Sequence, residues 1–194
     1  MSVPRRPFDS VPLPVSVDED GFMREIWTIG HWTCPESTFI GLLDALRIDL
    51  LVDVRAHPGS RTSPQFARDS MPEWLGRAAI EYVHLDELGG RRRKQDVDAD
   101  INRGWENASF KNYADYTLLP AYEEGIARAV ELAIDRRVVV MCGEPMPWRC
   151  HRILIANTLA ARGWTVRHII GDAELRVHVL ASGARPRWLT STGG

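Results

Sequence analysis

The stretch VVVMCGEPMPWRCHRILIANTLAARGWTV, residues 138–166, decides the fold. It opens on a short, β-branched, continuously apolar run, the pattern of a strand buried on both faces. CHRILIANTLAAR, from Cys150 to Arg162, reads as a helix, and TVRHII begins a further strand. Strand, helix and strand in that order make a parallel crossover unit, because parallel neighbours need a connection long enough to pass over the sheet. Between the first strand and the helix stand Cys142, Glu144, Arg149, Cys150, His151 and Arg152. So many polar and reactive side chains at one strand end have no packing explanation, and the loop is read as functional. Cys142 alone would be read as a buried packing residue.

The same alternation extends in both directions. EIWTIGHW (25–32) reads as a strand, PESTFIGLLDALRI (35–48) as a helix with Pro35 in its first turn, and LLVDVR (50–55) as a second buried strand. A polar loop, HPGSRTSPQF, leads to a short helix around Met71 to Ala79 and then to EYVHLDELGG (81–90), a third strand running into a loop. Residues 87–116 read as one long irregular segment, which in a compact domain is usually functional or disordered. LLPAYEEGIARAVELAIDR (118–136) is an amphipathic helix before the fourth strand, RVVVMC, and TVRHII is the fifth. The expectation is a three-layer α/β sandwich, Rossmann-like or rhodanese-like, around a mostly parallel five-stranded sheet, with ELRVHVL (174–180) available as an extra edge strand. Residues 24–180 form the single domain. The proline- and charge-broken residues 1–23 are expected to be a flexible arm and residues 181–194 a flexible tail.

Composition narrows the function classes. With 24 basic against 26 acidic residues the net charge is -2, so a polyanionic partner would have to be met by a local patch. One exists at Arg91, Arg92, Arg93 and Lys94, with Trp105, Phe110 and Tyr113 downstream as stacking candidates for nucleic acid. No apolar run reaches the ~18 residues of a membrane span. Three unevenly spaced cysteines make no disulfide framework, and a cytoplasmic location is expected.

In a parallel sheet, ligands bind beyond the carboxyl ends of the strands. The strand ends supply Gly30, His31 and Trp32; Asp53, Val54, Arg55 and His57; His84, Asp86 and Glu87; Cys142, Gly143, Glu144, Arg149 and Cys150; and finally Gly171 and Asp172. Alternation puts Asp53 and Arg55 on one side of their strand, as site residues or as a strand-end ion pair. Free amides at the start of the last helix, with Arg149 and Arg152, would favour an anion and lower the pKa of a nearby thiol. Cys142, Cys150 and His151 have a spacing poor for zinc, since paired metal-site cysteines usually lie two to four residues apart, and no metal or other cofactor is assigned. Cys142 and Cys150 are far enough apart along the chain to pair as a redox disulfide.

Cysteine, turn and arginine before a helix resembles the plan of rhodanese sulfurtransferases and cysteine-dependent phosphatases, as LLVDVR and GWTVRHIIGD resemble other rhodanese strands. Here, however, six residues separate Cys142 from Arg149 and two of them are prolines. A fuller resemblance is carried by TIGHWT, LLVDVRAHPGSRTSPQF, YVHLDELGGRR, FKNYADY and VVVMCGEPMPWRCHRILIANTLAARGWTVRHI, which together look like the domain of unknown function 488 family from Ile26 to Ile170. That resemblance implies an α/β fold with its loops at one site, and marks His31; Asp53, Arg55, Pro58 and Arg61; His84, Leu88 and Gly89; and Cys142, Glu144, Cys150, His151 and Arg152. It implies no reaction. Gly143 stands where the resembling loops often carry alanine.

The leading expectation is an enzyme or anion-binding domain. In it Cys142 is the nucleophile toward a sulfur or phosphoryl group, Arg149 and the loop amides hold the anion, and His31 or Glu144 moves a proton. Asp53 completes the catalytic set, and Arg55, Arg61, His84, Cys150, His151 and Arg152 bind substrate. A nucleic-acid-associated protein using residues 87–116 and a thiol redox or metal-binding protein are the alternatives.

Overall fold

A computed structural model describes residues 24–59, 62–98, 100–171 and 174–180. Arg61 and the expected arm (1–23) and tail (181–194) lie outside the described residues. Eleven main elements follow in order: β1 (Glu25–Gly30), α1 (Glu36–Ala45), β2 (Leu50–Asp53), α2 (Met71–Arg77), β3 (Glu81–His84), α3 (Ala108–Tyr116), α4 (Pro120–Ala133), β4 (Val138–Cys142), α5 (Arg152–Ala161), β5 (Thr165–Ile170) and β6 (Glu174–Val177).

The sheet order is β3-β2-β4-β1-β5-β6. All neighbours are parallel except β6, which returns antiparallel on β5 with Ile170 opposite Glu174. The expected five strands are thus six, the last being the edge strand that ELRVHVL offered. The buried parallel strands read as the unbroken apolar runs that coverage of both faces requires.

Side-chain alternation sorts the core into two layers. Leu50, Val52, Val54, Val138, Val140 and Val166 face α3, α4 and α5, meeting Tyr113, Ile126, Ala129, Ile155 and Leu159. Trp27, Ile29, Leu51, Val139, Met141 and Ile169 face α1 and α2, meeting Phe39, Leu43, Met71, Trp74 and Leu75. The change of face follows from handedness. From β1 to β3 the chain steps one way across the sheet, and from β3 to β5 it steps back, so right-handed crossovers must lie on opposite sides.

The segment expected to be irregular, 87–116, contains α3. The side chain of Asn107 accepts hydrogen bonds from the amides of Ser109 and Phe110 at 2.9 and 3.2 Å, the N-cap that starts the helix. Its buried tyrosines fix it to the exit of β3: Tyr113 donates to the carbonyl of Leu88 and Tyr116 to that of Glu87, each at 2.7 Å. Tyr113, one of the three stacking candidates, is thus part of an anchor.

A buried polar chain ties β6 down. His178 Nε2 donates to Asn157 Oδ1 at 2.9 Å, His178 Nδ1 lies 3.1 Å from His168 Nε2, and His168 Nδ1 lies 2.7 Å from Thr28 Oγ1. A single proton order, from Thr28 through His168 and His178 to Asn157, satisfies every link with both rings neutral. Burial, followed by the charges of His178, Arg152 and Arg176, pushes His168 down to about 3, and burial lowers His178 as well. The unfolded chain therefore binds more protons than the folded one below the ordinary histidine pKa. Stability should be complete above about pH 6.5 and should fall by about 1.4 kcal/mol per pH unit below it from His168 alone. Urea unfolding at pH 7 and pH 5.5, with the His168 ring resonances followed by NMR, checks this. A His168 titrating near 6.5 with flat stability would contradict it.

Candidate functional site

Four strand ends stand level at the carboxyl edge: Gly30 pairs with Cys142, and Asp53 is level with both Met141 and His84. β4 lies between β1 and β2, and its connection turns toward α5 while theirs turn toward α1 and α2. The loops part on both sides of β4, the condition under which an open α/β sheet forms a crevice. A cleft of about 400 Å³ lies there, lined by His31, Arg55, Ala56, His57, Gly59, Gly90, Arg91, Cys142, Gly143, Glu144 and His151. A second, of about 350 Å³, adjoins it through Arg91, Glu144 and His151 and adds Phe110, Arg149 and Cys150.

Alternation along β4 decides where Cys142 points. Val138 and Val140 face the α5 side, so Cys142 does too, and there it meets the two residues that precede α5. His151 Nδ1 lies 4.0 Å from the Cys142 sulfur and 3.5 Å from the Cys150 sulfur. His151 Nε2 donates to the carbonyl of Val54 at 3.1 Å, which turns Nδ1 toward the thiols. Hydrogen bonding from Cys150 holds the Cys142 thiol well below its ordinary range against the opposing effect of burial, aided by His151 and the charge of Arg152. Cys150 is pushed up by the same bond, by burial and by the negative charge next to it. The two shifts run in opposite directions, so Cys142, which lines the cleft, is the more readily ionised of the two. All three cysteines are thiols, Cys34 buried away in the α1 layer.

Asp53 and Arg55 do share one side of their strand, and it is the α2 side. Asp53 is fully buried, takes a bidentate contact from Arg55 with the closer oxygen 2.6 Å from Nη2, and accepts the Tyr82 hydroxyl at 2.8 Å. Arg55 then reaches past it to His31 Nε2 at 3.1 Å. His31 Nδ1 donates to the carbonyl of Trp32 at 2.8 Å, and its ring stacks on Phe66 at 4.4 Å. Burial and then the Arg55 charge lower the pKa of His31. With Nε2 facing a guanidinium, His31 is poorly placed to take up a proton. Asp53 does not line the cleft; it holds Arg55, which does.

Arg152 is also a structural clamp. Almost wholly buried, it donates to the carbonyl of Ile29 and, at 2.7 Å, to that of Glu144, closing the loop after β4 onto the end of β1. Buried carbonyls in an irregular loop need such a donor. Gly30 permits the approach, since a Cβ there would stand 1.9 Å from the Glu144 oxygen. His84 Nε2 donates to the carbonyl of Arg55 at 2.8 Å and braces the same strand exit. Arg149 is exposed and lines only the second cleft. The amides of Met146, Arg149 and Cys150 are taken by Glu144 Oε1 and the carbonyls of Met146 and Pro147, so they do not converge on Cys142 as the rhodanese-type plan requires.

In the basic run, Arg92 is pinned over the Tyr116 ring at 4.0 Å and donates to the carbonyl of Gly89. Trp105 stacks on Phe110 at 5.4 Å, and Tyr113 is buried. Arg91, by contrast, stands exposed at the junction of the clefts in the left-handed backbone region, φ 57°. Strain of that kind persists only where surroundings impose it. Gly90 was not marked by the sequence pattern. A Cβ there would lie 2.7 Å from His151 Nδ1, whereas one at Gly143 would meet His31 Nε2 at an ordinary 3.4 Å. The alanine often found at 143 in resembling loops therefore fits.

These contacts separate two glycines that look alike in sequence. Gly90→Ala should displace the His151 ring and cost about 1–3 kcal/mol of stability, while Gly143→Ala should cost less than about 0.5 kcal/mol. Chemical denaturation of both variants measures the difference, and equal stabilities would refute the packing described.

A family model described as "Domain of unknown function DUF488" matches residues 36–159. No curated protein and no solved structure matches the chain at a significant level. Among the described residues no helix is long and apolar enough to cross a membrane.

Proposed function

The chain belongs to the DUF488 family, and from that premise we propose that it is an enzyme acting on a small anionic substrate, with Cys142 as the nucleophile toward a sulfur or phosphoryl group. The observation that carries the reading is the hydrogen-bonded triplet of Cys142, Cys150 and His151 at the floor of a crevice whose rim carries Arg55 and Arg91. A thiolate is the reactive form of cysteine, and this one is kept ionised by a thiol neighbour and an oriented imidazole. The two arginines supply attraction for an anion, Arg55 rigidly and Arg91 from the mouth.

In the step itself the Cys142 sulfur forms a bond to a sulfane sulfur or to phosphorus. The bond from that atom to the leaving group breaks, and its electron pair departs with the leaving group. Glu144, on the rim of both clefts, is the side chain best situated to pass a proton there. Asp53, His31, His84 and Arg152 act as positioning residues. A second reading, oxidation of Cys142 and Cys150 to a disulfide by a peroxide that accepts the two electrons and leaves as water, is favoured by the mutual approach of the two thiols.

The test is incubation with thiosulfate and with p-nitrophenyl phosphate, followed by intact mass and peptide mapping. A persulfide or phosphoryl adduct on Cys142 is expected, with turnover reduced more than about 100-fold in Cys142→Ser. Arg91→Gln should weaken competition by the anion about threefold to tenfold. Turnover that survives Cys142→Ser would refute the nucleophile. A mass loss of two hydrogens linking Cys142 to Cys150 would instead favour the redox reading.

A further inference from the structure

We propose that Cys142, Cys150 and His151 form a three-ligand site for a thiophilic divalent cation, zinc being the one their donors suit best, with the fourth coordination position open to the cleft. Their two sulfurs and the imidazole nitrogen all lie within 4.8 Å of one another. With Zn–S near 2.3 Å and Zn–N near 2.0–2.1 Å, the edges of a tetrahedral site are about 3.5–3.8 Å long. The Sγ to Nδ1 distances of 3.5 and 4.0 Å already match those edges to within a few tenths of an ångström.

Two further observations are independent of those distances. His151 Nε2 donates to the Val54 carbonyl, the outer hydrogen bond that orients a ligating imidazole and leaves Nδ1 for the metal. Gly90 keeps the space beside Nδ1 clear, where a Cβ would intrude to 2.7 Å. The spacing objection raised by the sequence counts only along the chain. Cys142 arrives from β4 while the adjacent Cys150 and His151 arrive from the loop before α5, so the three converge from two directions.

The donor set is closed on the protein side and open on the other. Cys142 and His151 line the larger cleft with Arg55 and Arg91, and Cys150 and His151 line the smaller one. Water or an anion entering the cleft would take the fourth position, the arrangement of a catalytic rather than a structural zinc site. The inference goes beyond the nucleophile reading: a bound cation covers the Cys142 sulfur and puts a Lewis acid in its place, so the two are alternative chemistries of one cluster. Cysteine ligates a cation as the thiolate, so binding releases thiol protons and affinity rises with pH.

Full-length protein, reduced and stripped with a chelator, is titrated anaerobically with Co²⁺ and back-titrated with Zn²⁺, and Cys142 alkylation is followed in parallel. Thiolate-to-cobalt charge-transfer absorption with strong four-coordinate d–d bands, displaced by zinc and accompanied by protection of Cys142, is expected. Cys150→Ser and His151→Gln, each first verified as folded by circular dichroism, should weaken zinc binding more than the ~10- to 100-fold typical of an outer hydrogen-bond partner. No cobalt–thiolate absorption and no zinc protection, with Cys142 still alkylating readily at low pH, would overturn the metal site and leave the nucleophile reading standing. Absent bands together with an inert Cys142 would overturn both.

Discussion

Everything at the candidate site depends on one topological constraint, the opposite exits of neighbouring parallel strands. β4 lies between β1 and β2, and right-handed crossovers oblige its connection to pass over one face while theirs pass over the other. No loop can bridge the gap directly above β4, so a crevice opens there. Cys142 is the last residue of that strand. The period of two along the strand then directs its sulfur to the α5 face, where the start of the next helix supplies Cys150 and His151.

The crevice is kept from collapsing by side chains that spend their charge or hydrogen-bonding capacity inward. Arg152 binds the loop after β4 to the end of β1, and Asp53 binds Arg55 against the α2 layer. The carbonyls of Val54 and Arg55 orient His151 and His84 from one short stretch of β2. Each satisfies a polar group that an irregular, buried loop would otherwise leave unpaired, at about 1–3 kcal/mol per group. Rigidity of this kind is what a thiolate needs in order to keep its hydrogen-bond donor in place as substrate or metal approaches.

Much of this was legible in the sequence because parallel strands buried on both faces read as unbroken apolar runs. LLVD and VVVMC read as two central strands, and the rule for carboxyl ends put His31, Arg55, His57, Cys142 and Glu144 at one sheet edge, where they line one cleft. What stayed hidden was set by three-dimensional pairing. Arg152 resembles a ligand-binding arginine until its guanidinium is found between backbone carbonyls. Arg149 stands before a helix as an anion-binding arginine would, but with six residues between it and Cys142 it lies exposed on the surface. Asn107 was a readable N-cap inside a stretch judged irregular, and the aromatic residues after it anchor α3. The role of Gly90 and the chain through His168 and His178 have no sequence signature, since each depends on what folds against it.

Whether Cys142 is the more acidic partner of a thiol pair is read from the rate of its alkylation against pH. On reduced, metal-free protein, Cys142 should react with a midpoint well below the ~8.5 of a free thiol, and Cys150→Ala should move that midpoint upward. A Cys142 midpoint at or above ~8.5, unchanged by removal of Cys150, would mean that the pair does not activate Cys142.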